Sequence, residues 1–180
     1  MTSRQSLIEA ITNYHPEFNE EAAFKDRFLD LLKHPRAYFR DHLPGHMTGS
    51  AWIMDESKKF ILLTHHAKLN KWLQPGGHAD GDENILNVAI REALEETGLR
   101  SLYPFSTSIF DIDIHRIPAG KDFTEHLHYD VRVLFQGSKE EPLTVSDESH
   151  DLAWVSIDHA GDVSANNSSI GRMAAKLRLL

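Results

Sequence analysis

The chain has 180 residues, 41% of them apolar and 26% charged, which suits one globular domain with a real core and argues against wholesale disorder. It contains no cysteine, so disulfides, thiolate metal sites and a cysteine nucleophile are excluded. A net charge of −8, with the 12 histidines counted neutral, opposes unaided binding to nucleic acid and repels an anionic substrate unless cations intervene.

Met1–Gln5 leads into an amphipathic stretch broken by acids, unlike the apolar core of a secretion signal. No run reaches the ~20 apolar residues of a membrane span, so a soluble cytoplasmic protein is expected. Residues 1–44 read as a helical extension. Leu7, Ile8, Ile11 and Tyr14 make one apolar stripe, and Phe24, Phe28, Leu31 and Leu32 a second behind an Asn19 cap. Pro16, Pro35 and Pro44 punctuate them. From residue 45 to 180 a mixed α/β domain is expected. Ala51–Met54 and Phe60–Leu63 read as strands, and the loop Gln74-Pro75-Gly76-Gly77 precedes a helix over Asn84–Thr97 that Gly98 closes. Two alternating segments follow, Ser108–His115 and His126–Phe135. Ala153–Ile157 reads as a last strand and Ser169–Leu180 as a closing helix. Trp52 and Trp154 fall in strands and are expected in the core.

The helix carries the chemistry. At 100° per residue, Ile85, Leu86, Ala89, Ile90, Ala93 and Leu94 occupy one half of its surface. Glu92, Glu95 and Glu96, spaced i, i+3, i+4, share a sector beside that half, so they border the core and face a cleft. Such acids repel one another, and a hard divalent cation reverses the sign of that interaction. Arg91, four residues before Glu95, is placed to orient one of them. By itself the spacing fits a solvated acidic face better than a metal site.

The surrounding residues complete a pattern. Gly77, Glu83, Arg91-Glu92-Ala93, Glu95-Glu96, Gly98 and Leu99 fit G-x5-E-x7-R-E-U-x-E-E-x-G-U, where U is apolar. This resembles the Nudix box at every specified position. The resemblance implies an α+β fold with a mixed β-sheet sandwiched between α-helices, and metal-assisted attack of water on a phosphorus atom of a small diphosphate. It implies Glu92, Glu95, Glu96 and the Gly77 carbonyl as ligands of Mg²⁺ or Mn²⁺, with Glu83 and Arg91 bracing the loop against the helix. Catalysis would then rest on Glu92, Glu96 and Arg91. The general base is either Glu92 or Glu148, which otherwise is a plain loop acid.

Outside the box, Phe110, Ile112 and Ile114 alternate with Asp111, Asp113 and His115, as Leu127, Tyr129 and Val131 do with His126, His128 and Asp130. Paired as a hairpin, the two segments place both polar sets on one face. That face either holds a ribose, a base edge or a further metal through His126, His128 and Asp130, or meets solvent. Trp72 either stacks on substrate or packs in the core, and His78 either reaches a phosphate or is a loop residue. The N-terminal helices cover the cleft, form a homodimer contact, or pack on the domain. A hydrolase of a nucleoside diphosphate linked to another moiety is the expected function, with a small-molecule partner and neither nucleic acid nor membrane. A nucleotide-sensing module of the same family is the alternative, disfavoured by the intact box. Isopentenyl diphosphate isomerase is disfavoured by the missing cysteine, and RNA decapping by the acidic charge.

Overall fold

A computed structural model describes residues 1–120 and 123–180. Helices α1 (Arg4–Thr12) and α2 (Asn19–Leu32) form where the two apolar stripes lie. Ser3 caps α1, its side chain accepting the Ser6 N–H. Asn19 does not cap α2, of which it is the first residue. Instead the Glu21 carboxylate reaches back to accept the N–H groups of Glu17 and Phe18 at 3.1 and 3.0 Å, so an acid inside the first turn satisfies the entering chain.

Strands β1 (Gly45–Met54), β2 (Phe60–His66), β3 (Lys71–Leu73), β4 (Gly76–His78), β5 (Tyr103–Pro104), β6 (Asp111–Ile117), β7 (His126–Gln136) and β8 (Ser149–Ser156) form one mixed sheet. Its order is β3-β2-β1-β7-β5, with β4 pairing on β1, β6 on β7 and β8 on β2. β1 and β7 run parallel and the other pairs antiparallel. Helix α3 (Ile85–Thr97), with α1 and α2 beside it, covers one face, where Met47, Ala51, Val131 and Val133 meet Leu7, Phe28, Val88 and Ala93. On the other, Trp52, Met54, Ile61 and Leu134 meet Ile170, Met173 and Leu177 of α5 (Ser168–Leu177), which follows the short α4 (Ala160–Val163). The expected α+β sandwich is present.

Strand boundaries depart from expectation where pairing rather than composition sets them. Gly76–His78, expected as loop, is drawn into a short strand by β1, with Thr48 opposite His78 and Ser50 opposite Gly76. β8 starts at Ser149, before the apolar run, because β2 extends to His66 and carries its partner along. The short β3 and β5 have no alternation of their own to announce them.

The β6–β7 register sets Asp111 opposite Arg132, Asp113 opposite Asp130 and His115 opposite His128, so the polar sets do share a face. At its inner end that face meets helix rather than solvent. Arg132, fully buried, donates to Asp130, Asp111 and Asp113 at 2.8, 3.0 and 3.0 Å. Arg172 of α5 adds bonds to Asp111 at 2.9 and 2.8 Å and to Glu20 at 2.8 Å. Lys176 contacts Glu21, Asp111 and the Tyr14 hydroxyl. These cations hold the Asp111 and Asp113 carboxyls below the usual range against the opposing effect of burial. Removing one member strands the others in low dielectric. Arg132→Met should therefore lower stability in denaturant titration by about 3–5 kcal/mol. A loss below about 1 kcal/mol, the worth of a surface pair, would contradict a structural role for the network.

Candidate active site

Local signals fix the box helix at both ends. The Asn84 side chain accepts the Asn87 N–H at 3.3 Å, and Gly98 ends α3 in the left-handed region at φ 70°, its N–H donating to the Leu94 carbonyl at 3.0 Å. With Ile85, Val88, Ala89 and Ala93 buried against the sheet, the acids fall on the flank beside β4. Glu96 is 6% exposed, and its Oε1 accepts the Gly76 N–H at 2.8 Å. Glu92 lies so close to Gly77 that a β-carbon there would collide with its carboxylate, which explains the glycine. Glu95, on the same flank, is exposed.

Arg91 ties this cluster to the strand. Its Nη1 lies 2.6 Å from Glu92 and 3.4 Å from Glu95, and its Nη2 donates to the His78 carbonyl at 2.9 Å. Glu83, expected to share that brace, turns the other way. It accepts the Arg4 backbone N–H at 3.2 Å and Arg4 Nε at 3.0 Å, coupling the box to α1. Glu148 sits in an exposed loop anchored by the Ala67 N–H, which donates to its carbonyl at 2.8 Å. Its charge adds to the rise of the Glu92 and Glu96 carboxyls.

The electrostatics are those of a cluster short of positive charge. Burial pushes the Glu96 carboxyl up to about 8; the Gly76 N–H pulls it down, and Glu92, Glu148 and Glu95 push it further up. Burial likewise raises Glu92, against Arg91 and with the help of Glu95 and Glu148. Several carboxylate oxygens near the backbone of Gly77, opposed chiefly by Arg91, make a donor set that suits a hard divalent cation.

The remaining candidates divide. Asp130 is buried, and its oxygens accept from Thr48 at 3.0 Å, Ser50 at 2.8 and 3.0 Å, Gln74 at 3.3 Å and Arg132, so its capacity is filled internally. The ring of Trp72 stacks on His65, 5.0 Å between centroids and 11° between planes, beside the core cluster that contains Trp52. His126 and His128 meet instead with His78 and with His46, one ring nitrogen of each within 4.8 Å of the others. Burial lowers His46 and His78 to about 4 and His128 to about 2, so these three rings are neutral near pH 7. Sequence reading missed His46, because its place beside His128 follows from the parallel β1–β7 register, which no local pattern encodes. A concavity lined by Met1, Tyr14, Thr107, Phe110 and Lys176 contains none of the box residues.

A family model of the NUDIX domain matches residues 44–176. The chain belongs to the Nudix family. It is 36% identical over 107 residues to the Xenopus laevis protein "Nucleoside diphosphate-linked moiety X motif 6", covering 56% of this chain and 45% of that one. It is 28% identical over 141 residues to a "Probable DHNTP pyrophosphohydrolase" of Lactococcus lactis, covering 76% of this chain and 81% of that one. The chain spans less than half the length of the first curated relatives it matches. Among solved Nudix-fold structures, a Caenorhabditis elegans Ap4A hydrolase binary complex aligns with TM-score 0.60 at 18% identity, over 74% of this chain and 95% of that one. That likeness is one of fold.

The raised carboxyl has a measurable sign. Because the folded value of Glu96 lies above its ordinary 4.5, the folded state binds the extra proton, so its stability is greatest below pH 4.5 and falls as pH rises to about 8. Glu96→Gln keeps an oxygen for the Gly76 N–H but cannot ionise. In chelator, its stability gain over wild type should grow by about 2–4 kcal/mol between pH 5 and pH 8. Parallel stability curves for the two proteins would contradict the burial of a charged Glu96.

Proposed function

We propose that this protein is a metal-dependent pyrophosphohydrolase that cleaves a phosphoanhydride bond in a nucleoside diphosphate linked to another moiety, or in a related small organic diphosphate. The observation that carries this reading is the pair of half-buried and buried acids, Glu92 and Glu96, held against Gly76 and Gly77 within a complete box. Glu92, Glu95, Glu96 and the Gly77 carbonyl would hold Mg²⁺ or Mn²⁺, cations that prefer oxygen donors and keep several waters. When bound, the cation neutralises diphosphate charge and lowers the pKa of water. Arg91 fixes the distance between helix and strand by bridging Glu92 and the His78 carbonyl.

We assign the general base to Glu148, whose exposed carboxylate shares the field of Glu92 and Glu96. It takes a proton from the attacking water as the oxygen bonds to phosphorus; the anhydride P–O bond breaks, and the leaving phosphate departs with the bonding pair. Glu92, paired with Arg91, is less free to accept that proton. The substrate class draws support from the names of the relatives, which refer to a nucleoside diphosphate-linked moiety, to DHNTP and to Ap4A.

Purified protein should hydrolyse at least one member of a diphosphate panel with Mg²⁺ or Mn²⁺, lose that activity in excess EDTA, and place ¹⁸O from labelled water in a phosphate product. Turnover undiminished by EDTA, or label absent from phosphorus, would overturn the reading. Nucleotide binding without turnover across the panel would favour a sensing module. Glu148→Gln should reduce kcat by ~10²–10⁴-fold with unchanged affinity for the metal. A variant as fast as wild type would return the role of base to Glu92.

A further inference from the structure

On the opposite side of β4 from the box lies a second group of donors. Successive side chains of a strand point to opposite faces, so Gly77 turns toward Glu92 while Gly76 and His78 turn away. There His78 meets His46 of β1 and His126 and His128 of β7. The registers bring them together: His46 lies opposite His128, His78 opposite Thr48 on β1, and His126 two residues before His128 on the same face. Ring centroids are 4.8 Å apart for His78 and His128, 4.9 Å for His46 and His126, and 5.1 Å for His46 and His128.

We propose that His46, His78, His126 and His128 form a second cation site, distinct from the box carboxylates, that takes a late first-row divalent ion of the zinc type. Several independent features point there. One ring nitrogen from each residue lies within 4.8 Å of all the others. The Nε2 atoms of His126 and His128 are 3.2 Å apart, close to the ~3.3 Å edge of a tetrahedron with metal–nitrogen bonds of ~2.0–2.1 Å. Bringing the widest gap to that edge needs a shift of at most about 1.5 Å.

In His46 and His126 the outer nitrogen is arranged as a metal-bound histidine requires. Such rings donate their second N–H to a carbonyl or carboxylate, which fixes the tautomer and aims the other lone pair inward. His126 Nδ1 lies 2.8 Å from the Thr124 carbonyl, and His46 Nδ1 lies 3.4 Å from the His42 carbonyl. In both, Nε2 is left with the lone pair. His46 is 1% exposed, and its Nε2 is buried without any hydrogen-bond partner. An orphaned buried acceptor is costly, and a shared cation removes that penalty. The donor set also selects the ion. Imidazoles without a carboxylate suit zinc, nickel, cobalt or copper, whereas Mg²⁺ and Mn²⁺ favour the oxygen donors across the strand. A cation here would hold β4 to β1 and β7, and with it the Gly76–Gly77 backbone that Glu92 and Glu96 address.

Cobalt makes the site visible. Chelator-stripped protein is titrated with Co²⁺ and followed by visible absorption. The proposal expects one equivalent per chain with the intense bands of four-coordinate, nitrogen-ligated cobalt, which one equivalent of Zn²⁺ then displaces. His128→Ala and the rim variant His126→Ala should each weaken that binding at least ~10-fold, more than loss of an outer-sphere partner would. Glu92→Gln and Glu96→Gln should leave the bands in place, because six-coordinate oxygen ligation absorbs only weakly. Melting curves in chelator check that each variant folds, and His126→Ala decides if His128→Ala does not. Absence of the bands in wild type, their persistence in a folded His126→Ala, or their loss in the box variants alone would each overturn the proposal.

Discussion

The buried ion network around Arg132 is the constraint on which the remaining geometry rests. Its cations Arg132, Arg172 and Lys176 and its acids Asp111, Asp113, Asp130 and Glu21 come from α2, β6, β7 and α5, and each is at most 9% exposed. Buried charges are tolerated only when paired in good geometry, so the network permits one relative placement of these four elements. Its influence reaches the box through a short relay. Asp130 accepts from Ser50, Ser50 packs beneath Gly76 where no side chain would fit, and the Gly76 N–H meets Glu96. The position of Glu96, a proposed metal ligand on α3, is thereby linked to an arginine on β7.

The two charge clusters obey opposite logic. Around Arg132 nearly every carboxylate oxygen has a guanidinium, ammonium or hydroxyl partner, and the Asp111 and Asp113 carboxyls are held below their usual range against the opposing effect of burial. Around Glu92 and Glu96 burial is accompanied by one arginine and one backbone N–H, and both carboxyls are raised. A fold able to neutralise acids so thoroughly in one place has left them under-compensated in another. That asymmetry is what separates a ligand-ready cluster from a structural one.

The sequence was informative wherever a feature is local. The box helix and its Gly98 terminus depend on residues within a few positions, and they form as the pattern implies. Strand parity in β6 and β7 was legible for the same reason. What covers the polar face was not, because Arg172 reaches Asp111 across 61 positions of chain and lies in a helix whose period says nothing of its partner. The histidine cluster was half visible: the His126-x-His128 spacing stands out, while His46 joins it only through the parallel strand pairing. Glu83 misled in another way. Its place in the box is the family's, but the group that binds it is Arg4, outside the segment the family model matches.

That last contact bears on how the molecule can be divided. Among the described residues β6 pairs in the sheet with β7 alone, and α2 packs against it. Leu7, Ile11 and Phe28 in turn seal Met47, Ile112 and Val131 from solvent. A fragment trimmed to residues 44–176 would keep every residue of the box yet expose an apolar patch and an open strand, and would leave Glu83 without its guanidinium. Such a fragment should self-associate, so a recombinant version designed to the family boundaries alone would be a poor surrogate for this protein.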